Sequence, residues 1–170
     1  MSTTYHTLTA VADVAAGPLS FDEALFALER AGGPQAPGWG WSVSHKDWFR
    51  HTVGEILDLV ADPEPLRVLN LHDPAVVAAE DAAGLRDAVG RLRAAIRQRP
   101  AEFVRRTGWM DCTPEDVLAA LDRAETGDVA KVHDDEEPAP ECFFRYLRQQ
   151  EHAAAEAARS GRSLVTLTMS

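Results

Sequence analysis

Asp47, His51 and Glu55 stand four residues apart in a stretch whose apolar residues keep a helical period, so a helix would bring all three to one face. A carboxylate one turn from an imidazole holds it in one tautomer and raises its basicity, which is what a general base requires. The same spacing also describes a solvated i,i+4 pair with no chemistry. His72-Asp73 is a second pair, at the end of a short apolar run where α/β proteins carry working residues. Its structural reading is Asp73 as a cap before Pro74. With His133-Asp134-Asp135 it would supply a ligand set for a borderline metal. Nothing in the sequence brings the two segments together, so no metal site is expected, and the catalytic candidates are His51, Asp47, His72 and Asp73.

Binding candidates fall in two groups. Trp39, Trp41 and Trp48, with His45 and His51 beside them, offer rigid amphipathic surfaces of the kind found in ligand pockets and interface hot spots. The alternative is that these tryptophans close over the core. Arg86, Arg93 and Arg97 fall within about 40° of one another on a helical wheel. Residues 85–106 carry seven arginines against Asp87 and Glu102, a basic segment in an acidic chain. It would suit an anionic ligand or would pair with the chain's own acids. Cys112 precedes the helix-capping Thr113, which favours a reactive thiolate, but Asp111 next to it opposes one, so an inert thiol is expected.

Elements to position these residues follow in chain order. Residues 4–14 alternate as a strand, Tyr5, Thr7, Thr9 and Val11 against His6, Leu8 and Ala10. Ser20 and Glu23 form a capping box for a helix whose buried stripe is Phe21, Leu25 and Leu28. Residues 32–43, rich in Gly, Pro and Trp, read as a surface loop. Ser44 with Asp47 would open the next helix, which Pro63 and Pro65 break. Residues 66–71 read as a short strand, and 75–78 as either a strand or the first turn of a helix. Leu85, Val89, Leu92 and Ile96 mark a helix from about Glu80 to Gln98, ended by Pro100. Thr113-Pro114-Glu115-Asp116 opens another, ended by Gly127. Residues 133–140 form an acidic, proline-broken linker expected to be solvated.

The last thirty residues carry a helix, a stop and a strand. Phe143, Leu147, Ala154 and Ala158 recur at helical spacing, with Arg145, Arg148, Gln149, Glu156 and Arg159 expected in water. Gly161 supplies a left-handed cap. Ser163–Met169 reads as a terminal strand able to pair with the first, Val165, Leu167 and Met169 alternating with Leu164, Thr166 and Thr168, and the alanines at the far end of the helix stripe would let the helix lie close against a sheet.

Composition narrows the class. The 170 residues suit a single domain, and 17 Lys plus Arg against 27 Asp plus Glu give a net charge of −10. That balance disfavours nucleic-acid backbones and anionic membranes and suits a basic partner. The first residues lack a secretory pattern, no apolar run reaches a membrane span, and two widely spaced cysteines suit a reducing compartment, so a cytoplasmic location is expected. No phosphate loop, G-x-S-x-G elbow, H-E-x-x-H helix or CxxC pair is present, and no cofactor is expected.

An Arg-flanked amphipathic helix, a Trp-containing middle, an acidic Pro-containing stretch and FFRYLRQQEHAAAEAARSGRSLVTLTM closing on a strand resemble the C-terminal half of the YfbM-like family of small bacterial proteins of unknown function. The resemblance implies an α+β fold and carries no activity or site residue. The expected architecture is α+β: one domain over 1–170, with a small mixed or antiparallel sheet that includes both terminal strands, packed by about five helices. The expected function is a non-catalytic protein-interaction module of a bacterial cytosol, of the immunity or inhibitor type that neutralises a basic partner. The second reading is a small-molecule-binding protein or enzyme with a Trp/His-lined pocket.

Overall fold

Two strands from opposite ends of the sequence form the middle of the sheet. β1 (Tyr5–Ala12) and β5 (Ser163–Met169) pair antiparallel, with Thr9 opposite Thr166. The computed structural model describes residues 4–15, 17–31, 41–45, 48–70, 74–109, 111–133 and 139–169. β2 (Trp41–His45) joins the other side of β1 antiparallel, β3 (Ala75–Val77) joins β5 antiparallel, and β4 (Lys131–His133) joins β2 in parallel. The order is β3-β5-β1-β2-β4, a mixed five-stranded sheet. Among the described residues six α-helices complete the α+β fold: α1 (Phe21–Arg30), α2 (Trp48–Ile56), α3 (Ala79–Gln98), α4 (Pro100–Thr107), α5 (Pro114–Thr126) and α6 (Ala139–Ser160). Among the described residues no helix is long and apolar enough to cross a membrane.

The period-two alternation of the central strands divides the interior. Ala10, Ala12, Val165 and Leu167 face α1 and form a small core with Ala24 and Leu28. Val11 and Leu164 face the other way, into the large core built on α2 to α6. Threonines on that same face pair across the strands, Thr7 with Thr168 at 2.9 Å and Thr9 with Thr166 at 3.4 Å. Gln150 of α6 donates to the Thr9 hydroxyl at 3.3 Å, so the helix is bonded to the sheet as well as packed on it. α6 lies against β1, β5, β2 and β4 on one side and against α3 and α5 on the other. Gly161 ends it at φ 68°, where a Cβ would be strained, and Arg162 N–H donates to Ala157 O at 3.2 Å.

Several local expectations are corrected. The strand expected over 66–71 is not formed at 66–70, where Glu64–Asn70 is a 3₁₀ helix, and Leu71 lies outside the described residues. Pro65 presets a helical φ near its start, Leu66 and Leu69 are buried at the three-residue period of that helix, and Arg67 meets Glu64 at 2.7 Å. Ala75–Val77 resolves as a strand. Ser44 lies within β2 and opens no helix, and α2 begins at Trp48. The expected 32–43 loop gives way to strand at Trp41, and 32–40 lie outside the described residues. Pro100 ends α3 by occupying the first turn of α4, a helix the reading missed. His133 is the last residue of β4 and Ala139 and Pro140 open α6, so the linker loses positions at both ends, and 134–138 lie outside the described residues.

Burial on α1 and α6 also departs from expectation. Phe21 is 46% exposed, and Ala24, Ala27 and Leu28 are the buried face. Ala24 and Leu28 of α1 join Ala10 and Ala12 of β1 in the small core. Gln149 is fully buried, because α6 is covered by the sheet as well as by helices.

Both capping boxes are present. Ser20 N–H donates to Glu23 Oε2 at 2.8 Å and Thr113 N–H donates to Asp116 Oδ2 at 2.9 Å. Backbone and then hydroxyl bonds from Ser20 hold the Glu23 carboxyl below its ordinary 4.5, and those from Thr113 hold Asp116 below its ordinary 3.8. Each acid is stronger in the folded chain, so its stabilisation is complete above those ordinary values and is lost as pH falls through the depressed folded ones. A Glu23→Gln/Asp116→Asn variant is therefore expected to show a flatter dependence of urea midpoint on pH in that acid range. Parallel curves for the variant and wild type would show that the boxes contribute nothing through ionisation.

Candidate functional site

The sequence candidates are largely dispersed. His51 and Glu55 are exposed on α2, and their supposed partner Asp47 lies outside the described residues, as do Trp39, His72 and Asp73. Trp48 opens α2, and Trp41 is half-buried and packs against the large core, which is the core-covering role. Neither Trp41 nor His51 is among the lining residues of the cleft beside α1, the groove at Arg86 and Arg93, or the cleft at Val76 and Leu85. No group of three His, Cys, Asp or Glu residues arranged for a metal occurs among the described residues.

The arginine cluster is occupied by the chain's own acceptors. Arg93, with its side chain only 15% exposed, bonds Glu125 of α5 and Glu151 of α6, tying three helices together. Arg97 reaches Asp122 at 2.8 Å, and Arg86 turns to its neighbour Asp87 at 2.9 Å. Arg106 bonds Glu102 at 2.8 Å and also Asp58, and its hydrogen bond holds both carboxyls below the ordinary range. Arg99 donates to the Leu59 carbonyl. Of the three predicted anion binders, Arg86 and Arg93 share a groove of about 510 Å3 and Arg97 is not among its lining residues.

α6 adds to that groove residues the sequence reading had placed in water or passed over. Arg148 donates to Ala124 O at 3.0 Å and Gly127 O at 2.6 Å, satisfying carbonyls at the end of α5, and Arg159 pairs with Glu156 at 2.9 Å. His152 lies between them, its basicity lowered first by burial and then by Arg148. Four guanidinium groups facing Glu125, Glu151 and Glu156 leave little unbalanced charge, so the groove is a helix-to-helix clamp first.

Both thiols are reduced. Cys142 is buried in the large core, and Cys112 is half-buried with its acidity weakened by burial and then by the Asp116 charge, which opposes thiolate formation.

What stands out on the surface is α1, which no sequence candidate touched. Phe26 is 59% exposed and Phe21 46%, with Asp22, Glu23 and Glu29 exposed on the same helix. Beside Phe26 a cleft of about 380 Å3 opens between α1 and the end of β1. Arg30 sits over the Phe26 ring, 5.7 Å from its centroid. The signal for this face was in the sequence. Phe26 falls off the Ala24, Ala27, Leu28 stripe, and an off-stripe aromatic is the pattern to look for. No family model, curated protein or solved structure matches this chain.

Proposed function

We propose that the protein is a non-catalytic interaction module that engages a basic protein partner, as an immunity or inhibitor protein of a bacterial cytosol does, with α1 as its contact face. The observation that carries this is the exposure of Phe21 and Phe26 among Asp22, Glu23 and Glu29 on one outer helix. Exposed rings on a rigid element supply the desolvated centre of an interface, and surrounding acids favour a cationic partner and speed its approach. The net charge of −10 acts in the same direction over longer range. The YfbM-like resemblance is compatible with this reading and assigns no chemistry. The second reading, a small-molecule site, is supported at the cleft beside α1, whose lining includes neither Trp41 nor His51.

Affinity capture from the native host is expected to enrich basic proteins with wild type and to lose them with Phe21→Ser/Phe26→Ser at unchanged melting temperature. The captured complex is expected to weaken as salt rises, since exposed charges are screened. Retention of the same partners by the double variant would remove α1 from the interface. Capture of no basic protein by wild type would remove the module reading itself. Trp39→Ala tests the Gly/Pro segment separately.

A further inference from the structure

The cleft beside α1 has two guanidinium groups with little to hold. Its volume of about 380 Å3 falls in the ~300–1,000 Å3 range of small-molecule sites. Val14, Leu19, Phe26 and Ala27 give it apolar walls, and Arg30 and Arg162 line it as well. Arg162 Nε is shielded from water and has no hydrogen-bond partner among the described residues. Asp13 Oδ1 lies 3.4 Å away without accepting that bond, and its side chain is 86% exposed, so the ion pair is a weak surface one. Arg30 meets the face of Phe26 and has no carboxylate partner among the described residues. The Arg162 side chain as a whole is 42% exposed, so its guanidinium is open to a ligand while its shielded Nε lacks an acceptor, and the acceptor that fits a guanidinium best is a carboxylate, held through two parallel bonds.

We propose that this cleft binds a small amphipathic carboxylate, with its apolar body against Val14, Leu19 and Phe26 and its carboxylate on Arg162 and Arg30. The lining residues also include Asp13 and Glu23, two acids against two guanidinium groups, which favours a singly charged anion over a phosphate dianion. Glu23 is committed to the Ser20 capping box and does not compete for either arginine. The site requires no protein partner, so it stands or falls independently of the contact role of α1.

The test is titration of the purified full chain with octanoate and with 3-phenylpropanoate, read by backbone amide NMR. Octanamide, 3-phenylpropanamide and inorganic phosphate serve as controls. Saturable shifts are expected at residues 12–15, on α1 and at 161–163, with each amide and phosphate weaker by about tenfold or more. Arg162→Gln is expected to weaken binding by about tenfold and Arg30→Gln by about threefold, each at unchanged melting temperature. If Arg162→Gln does not fold, Arg30→Gln decides. Absence of saturable binding at millimolar carboxylate, equal binding of acid and amide, tighter binding of phosphate, or shifts confined to another face would each overturn the proposal.

Discussion

Phe143→Ala is expected to cost about 3–5 kcal/mol of unfolding free energy, close to the whole stability of a marginal domain. The Phe143 ring is fully buried and stands among four others. Phe49 of α2 meets it edge-on at 5.6 Å, Trp109 edge-on at 5.8 Å, Phe144 at 5.8 Å, and Phe103 of α4 at 6.3 Å. Each such pair adds about 0.5–1.5 kcal/mol beyond the area it buries, and truncation leaves a cavity that rings on three helices cannot readily fill. Phe143→Leu keeps most of the volume and is expected to cost about half as much. Urea denaturation of the three proteins checks this. A loss below about 1 kcal/mol for alanine would show that the helices close over the space and that the ring cluster does not set their packing.

Gln149 carries the second large effect, for a different reason. Its Nε2 donates to Ser42 O at 2.9 Å and Val129 O at 2.8 Å, tying α6 to β2 and to the chain entering β4. Ser42 N–H donates to Ala130 O at 3.0 Å in the same place, so one buried amide braces the only parallel strand pair among the described residues. Gln149→Leu takes the side-chain donor from Val129 O at about 1–3 kcal/mol, while Ser42 O keeps its ladder bond in the β2–β4 pair, and part of the cost is offset because the unpartnered Gln149 Oε1 disappears too. A net loss of about 1–3 kcal/mol is expected, with faster hydrogen exchange at Ser42. Gln149→Glu is expected to be worse than leucine at neutral pH, since a buried carboxylate would face two carbonyl oxygens. Leucine as stable as wild type, or glutamate no worse than leucine, would show that water reaches these carbonyls.

Gln149 also shows where sequence reading stops. The alternation of β1 and β5, the Ser20 capping box, the Thr113 helix start, the span of α3 and the Gly161 stop were legible, because each depends on residues within a few positions of one another. Helical period alone puts Gln149 in water, because the apolar stripe of α6 is one-sided in sequence. Its burial comes from strands more than 100 residues earlier, as the 107-residue separation from Ser42 shows. The 3₁₀ segment over Glu64–Asn70 was misread as a strand because an apolar run of that length has no period to distinguish the two, and the deciding influence was Pro65. β2 and β4 were missed because five- and three-residue strands next to Gly/Pro-rich or acidic chain carry little pattern of their own.

Candidate chemistry was less legible than fold. Arginine clustering was visible, but whether acids meet it depended on Glu125, Glu151 and Asp122, which come from other helices. The cleft beside α1 joins residues near positions 13 and 30 to Arg162, a convergence created by strand pairing and invisible to local spacing.

Thr9 and Thr166 sit opposite each other across 157 residues, and that distance sets an order of events during synthesis. While the ribosome is still translating α6, β1 has emerged without the neighbour that flanks it in the sheet. The nascent chain must keep an apolar strand waiting with one edge open to other chains. Helical segments with local contacts can form early, but the sheet closes only after β5 clears the exit tunnel, so completion of the sheet is expected to follow formation of the helices.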